Sequence, residues 1–299
     1  MAGFPFDKLM AALIQLPCGV HKADNILILE HKVREAATAG ANLILLQELH
    51  DKRDLCQSEN PTCFEEAETV PGPTTKRLGQ LAADLRLVIV GSVFEKRAPG
   101  LYHNTAVVLD RDGSLAGYYR KMHIPDDPGY YEKFYFTPGD TGFRPVTTSV
   151  GNLGVMVCWD QWFPEAARSM ALAGADMLLY PTAIGWNPVE EHAERKRQLD
   201  AWMTVQRGHA ISNGLPLLSC NRVGTEPDPS GNSGGILFWG HSFACGPQGE
   251  MLAMAGETEE TLLVEIDLKR IESVRNVWPF LRDRRIDAYE KLLLRFDDG

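Results

Sequence analysis

One pattern that occurs twice constrains this chain more than anything else in it. AGANLILLQ at residues 39–47 matches AGADMLLYP at residues 173–181. In each copy a helix end, a glycine and a short apolar run follow one another. A run that is apolar on both faces and only a few residues long is read as a strand covered on both sides. The surrounding elements repeat as well. In the first half, a strand is expected over residues 10–16. A helix follows over 24–39, with Asp24 as its N-cap, Leu29, Val33, Ala36 and Ala37 at helical spacing, and Gly40 at its end. Next come a strand at 43–46, a helix at 73–85, a strand at 87–93 and a hairpin of 105–110 with 114–119 around Asp112-Gly113. The second half offers a strand at 153–157, a helix at 164–173 opened by Pro164 and closed by Gly174, and a strand at 177–180. A helix within 190–213, a strand at 216–220 and a hairpin of 242–245 with 251–255 complete it. Each half then forms one sheet with helices on one side. The expected fold class is α/β, a four-layer α-β-β-α sandwich with an internal pseudo-two-fold repeat. An open doubly wound sheet is the alternative, but no G-x-G-x-x-G loop follows a first strand.

The domain expected is a single one over residues 1–270, with halves of about 8–145 and 150–270, followed by a tail at 271–299 outside the repeat. The tail carries Val277, Trp278, Phe280 and Leu281, so it is expected to form an oligomer interface, at least a dimer. Residues 51–70 are polar, irregular and too long for an ordinary connection, so they are expected to line a site. Residues 227–235, PDPSGNSGG, form the clearest loop.

Composition narrows the function further. The chain has 44 % hydrophobic and 23 % charged residues, as globular proteins do. Its charge sum is 30 − 40 = −10, and no basic stripe marks a nucleic-acid partner. No run approaches the roughly 18 apolar residues of a membrane span. The first fifteen residues lack the basic flank and apolar core of a signal peptide, so a cytoplasmic location is expected. The six cysteines, at 18, 56, 63, 158, 220 and 245, include no C-x-x-C pair and no zinc-ligand spacing. Neither a disulfide framework nor a metal is expected.

Three reactive side chains sit at the ends of expected strands. Cys158 closes the apolar run 154–157, and a helix is expected from about Pro164. That edge is where α/β proteins bind ligands, and a nearby helix N-terminus lowers a thiol's pKa. A nucleophile and a buried structural thiol both fit the position. Glu48 follows the run 43–47, where burial would raise a carboxyl into the range of a general base. A capping or solvated carboxylate fits there too. Lys121, in YYRKMHIP, ends the first hairpin. Its ammonium can pair with a carboxylate, steady an oxyanion or stay solvated.

The segments around these residues supply a resemblance. Gln47-Glu48, RKMHIP at 120–125 and CWDQWFPEAAR at 158–168 resemble the three signature segments of the nitrilase, or carbon–nitrogen hydrolase, superfamily, in that family's order. The resemblance runs from about Leu9 to the tail and implies the same α-β-β-α sandwich. It makes Glu48 the general base, Lys121 the oxyanion stabiliser and Cys158 the nucleophile. YYEKFYFTPGD at 130–140 places Glu132 where many members carry a second carboxylate. The implied chemistry is attack of the thiolate on an amide or ureido carbonyl, with the Trp159 backbone N–H in the oxyanion hole, loss of ammonia and hydrolysis of the thioester. No cofactor is implied. His123 is read as a supporting group.

Residues 125–143 and 158–185 resemble the branch of the superfamily that converts N-carbamoylputrescine to putrescine, ammonia and carbon dioxide in polyamine synthesis. Such a substrate ends in an ammonium, which a carboxylate or an aromatic face recognises. Asp126, Asp127, Tyr130 and Asp160 are the candidates by proximity. An N-carbamoyl amino acid or β-ureidopropionate hydrolase would instead need a cation from Arg144, Arg168, Arg195, Arg197 or Arg207. Nitrile hydrolysis is a weaker alternative, and a non-catalytic binding or regulatory subunit is the alternative from another class. ELHDKRDLCQ at 48–57 departs from the glycine- and aromatic-rich loop of plant members and is expected to line the pocket.

Overall fold

The computed structural model describes residues 7–231 and 233–298. The start of the supposed leader-free segment, residues 1–6, and position 232 of the 227–235 loop lie outside them. The first half contains β1 (Lys8–Gln15), α1 (Lys22–Thr38), β2 (Leu43–Leu46), α2 (Pro73–Leu85), β3 (Val88–Ala98), β4 (Leu101–Leu109), β5 (Leu115–Arg120) and the single turn α3 (Glu132–Tyr135). The second contains β6 (Val146–Thr148), β7 (Gly151–Val155), α4 (Pro164–Leu172), β8 (Met177–Pro181), β9 (Gly185–Trp186), α5 (His192–Asn213), β10 (Leu217–Cys220), β11 (Val223–Glu226), β12 (Ile236–Trp239), β13 (Phe243–Cys245) and β14 (Met251–Met254). β15 (Glu260–Asp267) and α6 (Lys269–Val277) follow.

Two six-stranded sheets result, ordered β15-β1-β2-β3-β4-β5 and β14-β13-β10-β8-β7-β6. In each, three parallel strands (β1-β2-β3; β7-β8-β10) continue into two antiparallel ones. The side-chain alternation of a strand explains the layers. In β2, Leu43 and Leu45 enter the large core that also takes residues of β7, β8 and β10, whereas Ile44 and Leu46 join the cluster under α1 and α2. A strand apolar on both faces is therefore what a sandwich of this kind requires. It is an α/β protein of four layers, as the repeat implied.

Several local expectations need correcting. The N-cap of α1 is His21, and Asp24 lies in the first turn, where its backbone N–H already bonds the His21 carbonyl. Its carboxylate faces the positive end of the helix dipole instead. β15 was not foreseen, although its burial alternates, with Leu262, Val264 and Ile266 inside. It returns from the end of the chain to pair antiparallel with β1, as β6 pairs with β7, and so closes the first sheet with a strand from beyond the second. The small sheet β11-β12-β9 was also unforeseen. The tail expected from residue 271 starts inside α6, whose Ile271 and Val274 are buried against the body.

Leu45 is fully buried between the sheets. Leu45→Ala removes that packing and should cost about 3 kcal/mol of unfolding free energy. Urea denaturation of the two proteins measures the difference, and the loss of less than about 1 kcal/mol would mean that the inter-sheet layer relaxes around the gap.

Candidate functional site

The site forms where both sheets release their chains at the same edge. Glu48 lies just past β2, Lys121 directly after β5, Cys158 just past β7, Ala183 after β8 and Arg222 after β10. The two turns that carry acid and thiol are both bent into the left-handed region, with φ of +44° at Leu49 and +42° at Cys158. Such a conformation costs a non-glycine residue of order 1 kcal/mol and persists only where neighbours hold it. At Leu49 the holders are Ser92, whose Oγ accepts the Leu49 N–H at 2.9 Å, and Arg222, which donates Nη2–H to the carbonyls of Glu48 and Leu49 at 2.9 and 3.0 Å.

At Cys158 the holder is Asp160. This fully buried carboxylate accepts from the Val157 N–H at 3.0 Å, the Tyr119 hydroxyl at 3.0 Å, the His123 backbone N–H at 3.1 Å and His123 Nδ1 at 2.7 Å. It thereby ties the thiol-bearing turn to the segment that follows Lys121. Every lone pair is used inside the protein, so Asp160 is a clamp and not a substrate ligand, contrary to the reading from sequence. His123 stacks on Phe163 at 3.7 Å and supports that clamp.

Glu48 is the hub. Its Oε1 accepts from Lys121 Nζ at 2.9 Å and from Asn104 Nδ2 at 2.7 Å, and its Oε2 accepts the Ala183 N–H at 3.0 Å. Lys121 Nζ also donates to both oxygens of Glu132, at 2.7 and 2.8 Å. Glu48, Lys121, Glu132 and Cys158 are all buried, with the lysine at 0 % exposure. Burial alone would lower the lysine's pKa, but the charges of Glu132 and Glu48 outweigh it and hold the ammonium well above its ordinary range. Burial raises Glu132 to about 8, against the pull of Lys121 and with the push of Glu48. One lysine between two carboxylates leaves a buried net negative charge, so the cluster takes up a further proton at neutral pH.

The thiol differs from expectation. Cys158 heads a five-residue 3-10 turn, Cys158–Trp162, and α4 starts only at Pro164. Burial first and the Glu48 charge second push its pKa well above the ordinary thiol value, with Lys121 opposing. A helix N-terminus does not activate it. The resting group is the thiol, and only proton removal during attack can make it a nucleophile.

Cys158, Trp159 and Glu132 open onto a cleft of about 700 Å³. Its other walls carry Tyr130 and Asp127, Glu190 just before α5, and Glu194 with Arg197 on the first turns of α5. Asp127 and Tyr130 thus reach the cleft, whereas Asp126 is exposed outside it. Of the five arginines considered for a carboxylate substrate, Arg197 alone lines the cleft, and Glu194 already holds it at 2.8 Å through Nε. Arg168, Arg195 and Arg207 donate to backbone carbonyls elsewhere, and Arg144 is exposed.

Asn104, Ala183, Arg222, Glu190 and Glu194 were not singled out in the sequence. A signal for Ala183 existed: in the repeat, Thr182-Ala183 follows its strand as Glu48-Leu49 follows the other. Among the described residues, no group of three or more histidine, cysteine or acidic side chains is arranged to hold a metal, and no helix is long and apolar enough to cross a membrane.

The carbon-nitrogen hydrolase family model matches residues 10–276. An N-carbamoylputrescine amidase of Solanum lycopersicum is 46 % identical over 286 residues, covering 94 % of this chain and 94 % of that protein. A citrullinase of Francisella tularensis is 38 % identical over 291 residues, covering 97 % of this chain and 99 % of that one. The crystal structure of a carbon-nitrogen hydrolase from Helicobacter pylori G27 matches with a TM-score of 0.95 and 54 % identity, over 97 % of this chain and 100 % of that one.

Proposed function

This chain belongs to the carbon–nitrogen hydrolase family of the nitrilase superfamily, and from that premise we propose that it hydrolyses the terminal ureido bond of N-carbamoylputrescine to putrescine, ammonia and carbon dioxide. The observation that carries the substrate is the charge of the cleft. Asp127, Glu190 and Glu194 face one arginine, Arg197, which is already paired. An ammonium is welcome there and a lone carboxylate is not. Trp159, Trp162 and Tyr130 add aromatic surface for the alkyl chain and its cation. A ureido amino acid such as citrulline, which brings both charges, is the second reading, favoured by the Glu194–Arg197 pair in the same wall.

The roles follow from the hub. Glu48 takes the Cys158 proton as sulfur attacks the ureido carbon. Lys121 and the Trp159 N–H hold the oxyanion. Glu48 returns the proton to the leaving nitrogen, and ammonia departs. Water then attacks the N-alkylcarbamoyl thioester, gives its proton to Glu48, and the thiolate takes that proton back. The carbamic acid released breaks down to amine and carbon dioxide. A protonated Glu132 leaves the Lys121 charge free for the oxyanion, whereas an ionised Glu132 competes for it.

The tail past α6 leaves Trp278, Phe280, Leu293 and Phe296 exposed, which supports self-association into at least a dimer. All six cysteines are free, as a reducing cytoplasm keeps them, and a role in polyamine synthesis follows from the substrate.

Ammonia release from N-carbamoylputrescine, citrulline and N-carbamoyl-β-alanine tests the substrate. The amine substrate should exceed the β-alanine one by at least about tenfold in kcat/KM, and Cys158→Ala should lose at least about 10⁴-fold. Preference for N-carbamoyl-β-alanine sinks the polyamine reading and spares the mechanism. The pH profile tests Glu132. As pH rises through about 8 the carboxyl ionises, so kcat should fall there, and Glu132→Gln should lack that fall. A wild-type profile flat through pH 8 removes Glu132 from this role. Removing residues 278–299 should yield a smaller species in sedimentation, and an unchanged oligomer size would refute a tail-mediated interface.

A further inference from the structure

Beside the hub, sharing Glu132 and Ala183 with the cleft, lies a second and much smaller space. It offers about 10 Å³ to the centre of a water, which is room for one molecule. It is lined by Glu48, Glu132, Asp54 and Arg222, with Leu49, Cys56 and Ala183. Three acidic residues and an arginine around one water-sized space suit a water better than an apolar void. A further polar atom points to an occupant. Arg222 is fully buried, and its Nη groups are used by Glu226 and by the Glu48 and Leu49 carbonyls, but its Nε–H has no hydrogen-bond partner among the described residues. A buried donor left unpaired is costly, and a water accepting from it recovers that cost.

Asp54 belongs to the loop at residues 48–57 and is otherwise unemployed in the chemistry. Its backbone N–H donates to Glu226 Oε2 at 2.6 Å, and its Oδ1 accepts the Cys56 N–H at 2.8 Å. Glu226 in turn holds Arg222 Nη1 at 2.8 Å. The Arg222–Glu226 pair therefore fixes both the Glu48 turn and the Asp54 turn around the same space.

We infer that this chamber stores the water that hydrolyses the acyl-enzyme, with Asp54 and Arg222 as the residues that hold it against Glu48. The inference rests on the thioester pathway proposed above. A water that enters through the cleft mouth takes the place of ammonia only after ammonia has left. Glu132 and Ala183 line both the chamber and the cleft, so a water in the chamber is already beside Glu48, which takes its proton, and next to the cleft where the thioester forms. In the step itself the water oxygen bonds to the carbonyl carbon of the N-alkylcarbamoyl thioester and one water proton passes to Glu48. The C–S bond breaks, the thiolate takes the Glu48 proton, and the carbamic acid leaves.

Asp54→Leu fills the chamber with an apolar side chain and should separate the two half-reactions. With N-carbamoylputrescine, the variant should release a burst of about one ammonia per active site, then turn over at least about tenfold more slowly than wild type. Hydroxylamine, a nucleophile that reaches the thioester from the cleft, should restore ammonia turnover and yield the N-hydroxyurea. Turnover equal to wild type, or a slow rate with neither burst nor hydroxylamine rescue, overturns the inference. Should Asp54→Leu fail to fold, Asp54→Asn keeps the shape and weakens the hold on the water. Its ratio of hydrolysis to hydroxylamine capture should fall at unchanged KM, and an unchanged ratio overturns the inference equally. Wild-type enzyme that releases no ammonia from any of the ureido substrates would instead defeat the proposed function, a result distinct from either variant's.

Discussion

Everything at this edge of the molecule depends on a lysine buried between two carboxylates. An isolated ammonium at that depth would lose its proton, and an isolated carboxylate would gain one. Together, Lys121, Glu48 and Glu132 satisfy one another, but only while their geometry is held. That need accounts for the polar side chains packed around them. Asn104 fixes one Glu48 oxygen and, through its backbone carbonyl, the Lys121 N–H. The Ala183 N–H fixes the other oxygen. Arg222 fixes the backbone of the turn. Burial first and the Glu48 charge second keep Cys158 in its thiol form beside this cluster.

The sandwich is what makes such a cluster possible. Each sheet delivers its parallel strands to one edge, and face-to-face packing brings the two edges together. Glu48 comes from one sheet, and the N–H it accepts comes from Ala183, the repeat counterpart of Leu49 in the other. β15 locks this arrangement, because the strand that completes the first sheet lies after the whole of the second. Neither half can close without the other, and the site lies across the seam.

The repeat and its two-faced apolar runs revealed the layers, because burial on both sides leaves a direct mark on composition. Glu48 and Cys158 each follow an apolar run, whereas Lys121 follows Arg120, and the resemblance of their segments to a family's signatures is what sets all three apart. The hidden parts share a different cause. Ala183 acts through its backbone N–H, so its side chain gives no sign of it and only its place in the repeat does. Arg222 resembles any arginine in sequence, and only the fold shows that it is fully buried. Nearness along the chain to Cys158 says nothing about the direction of Asp160, whose carboxylate points inward. β15 stands outside the repeat, so the repeat gives no reason to expect it, although its burial alternates.

Chemistry and selectivity are thus housed separately. The proton-handling groups sit on strand ends inside the sandwich, where each is over-determined by several hydrogen bonds. The charged groups of the cleft wall sit on residues 125–130, just before α5 and on its first turns, where most are half-buried or exposed. Substituting this second set costs little stability, whereas substituting the first breaks a buried network. The charge at the mouth of the cleft can therefore change while the buried network of Glu48, Lys121, Glu132 and Cys158 stays as it is. The pairing of Glu194 with Arg197 lies at that boundary. It leaves the mouth net acidic, yet keeps within it the cation that a carboxylate-bearing substrate would need.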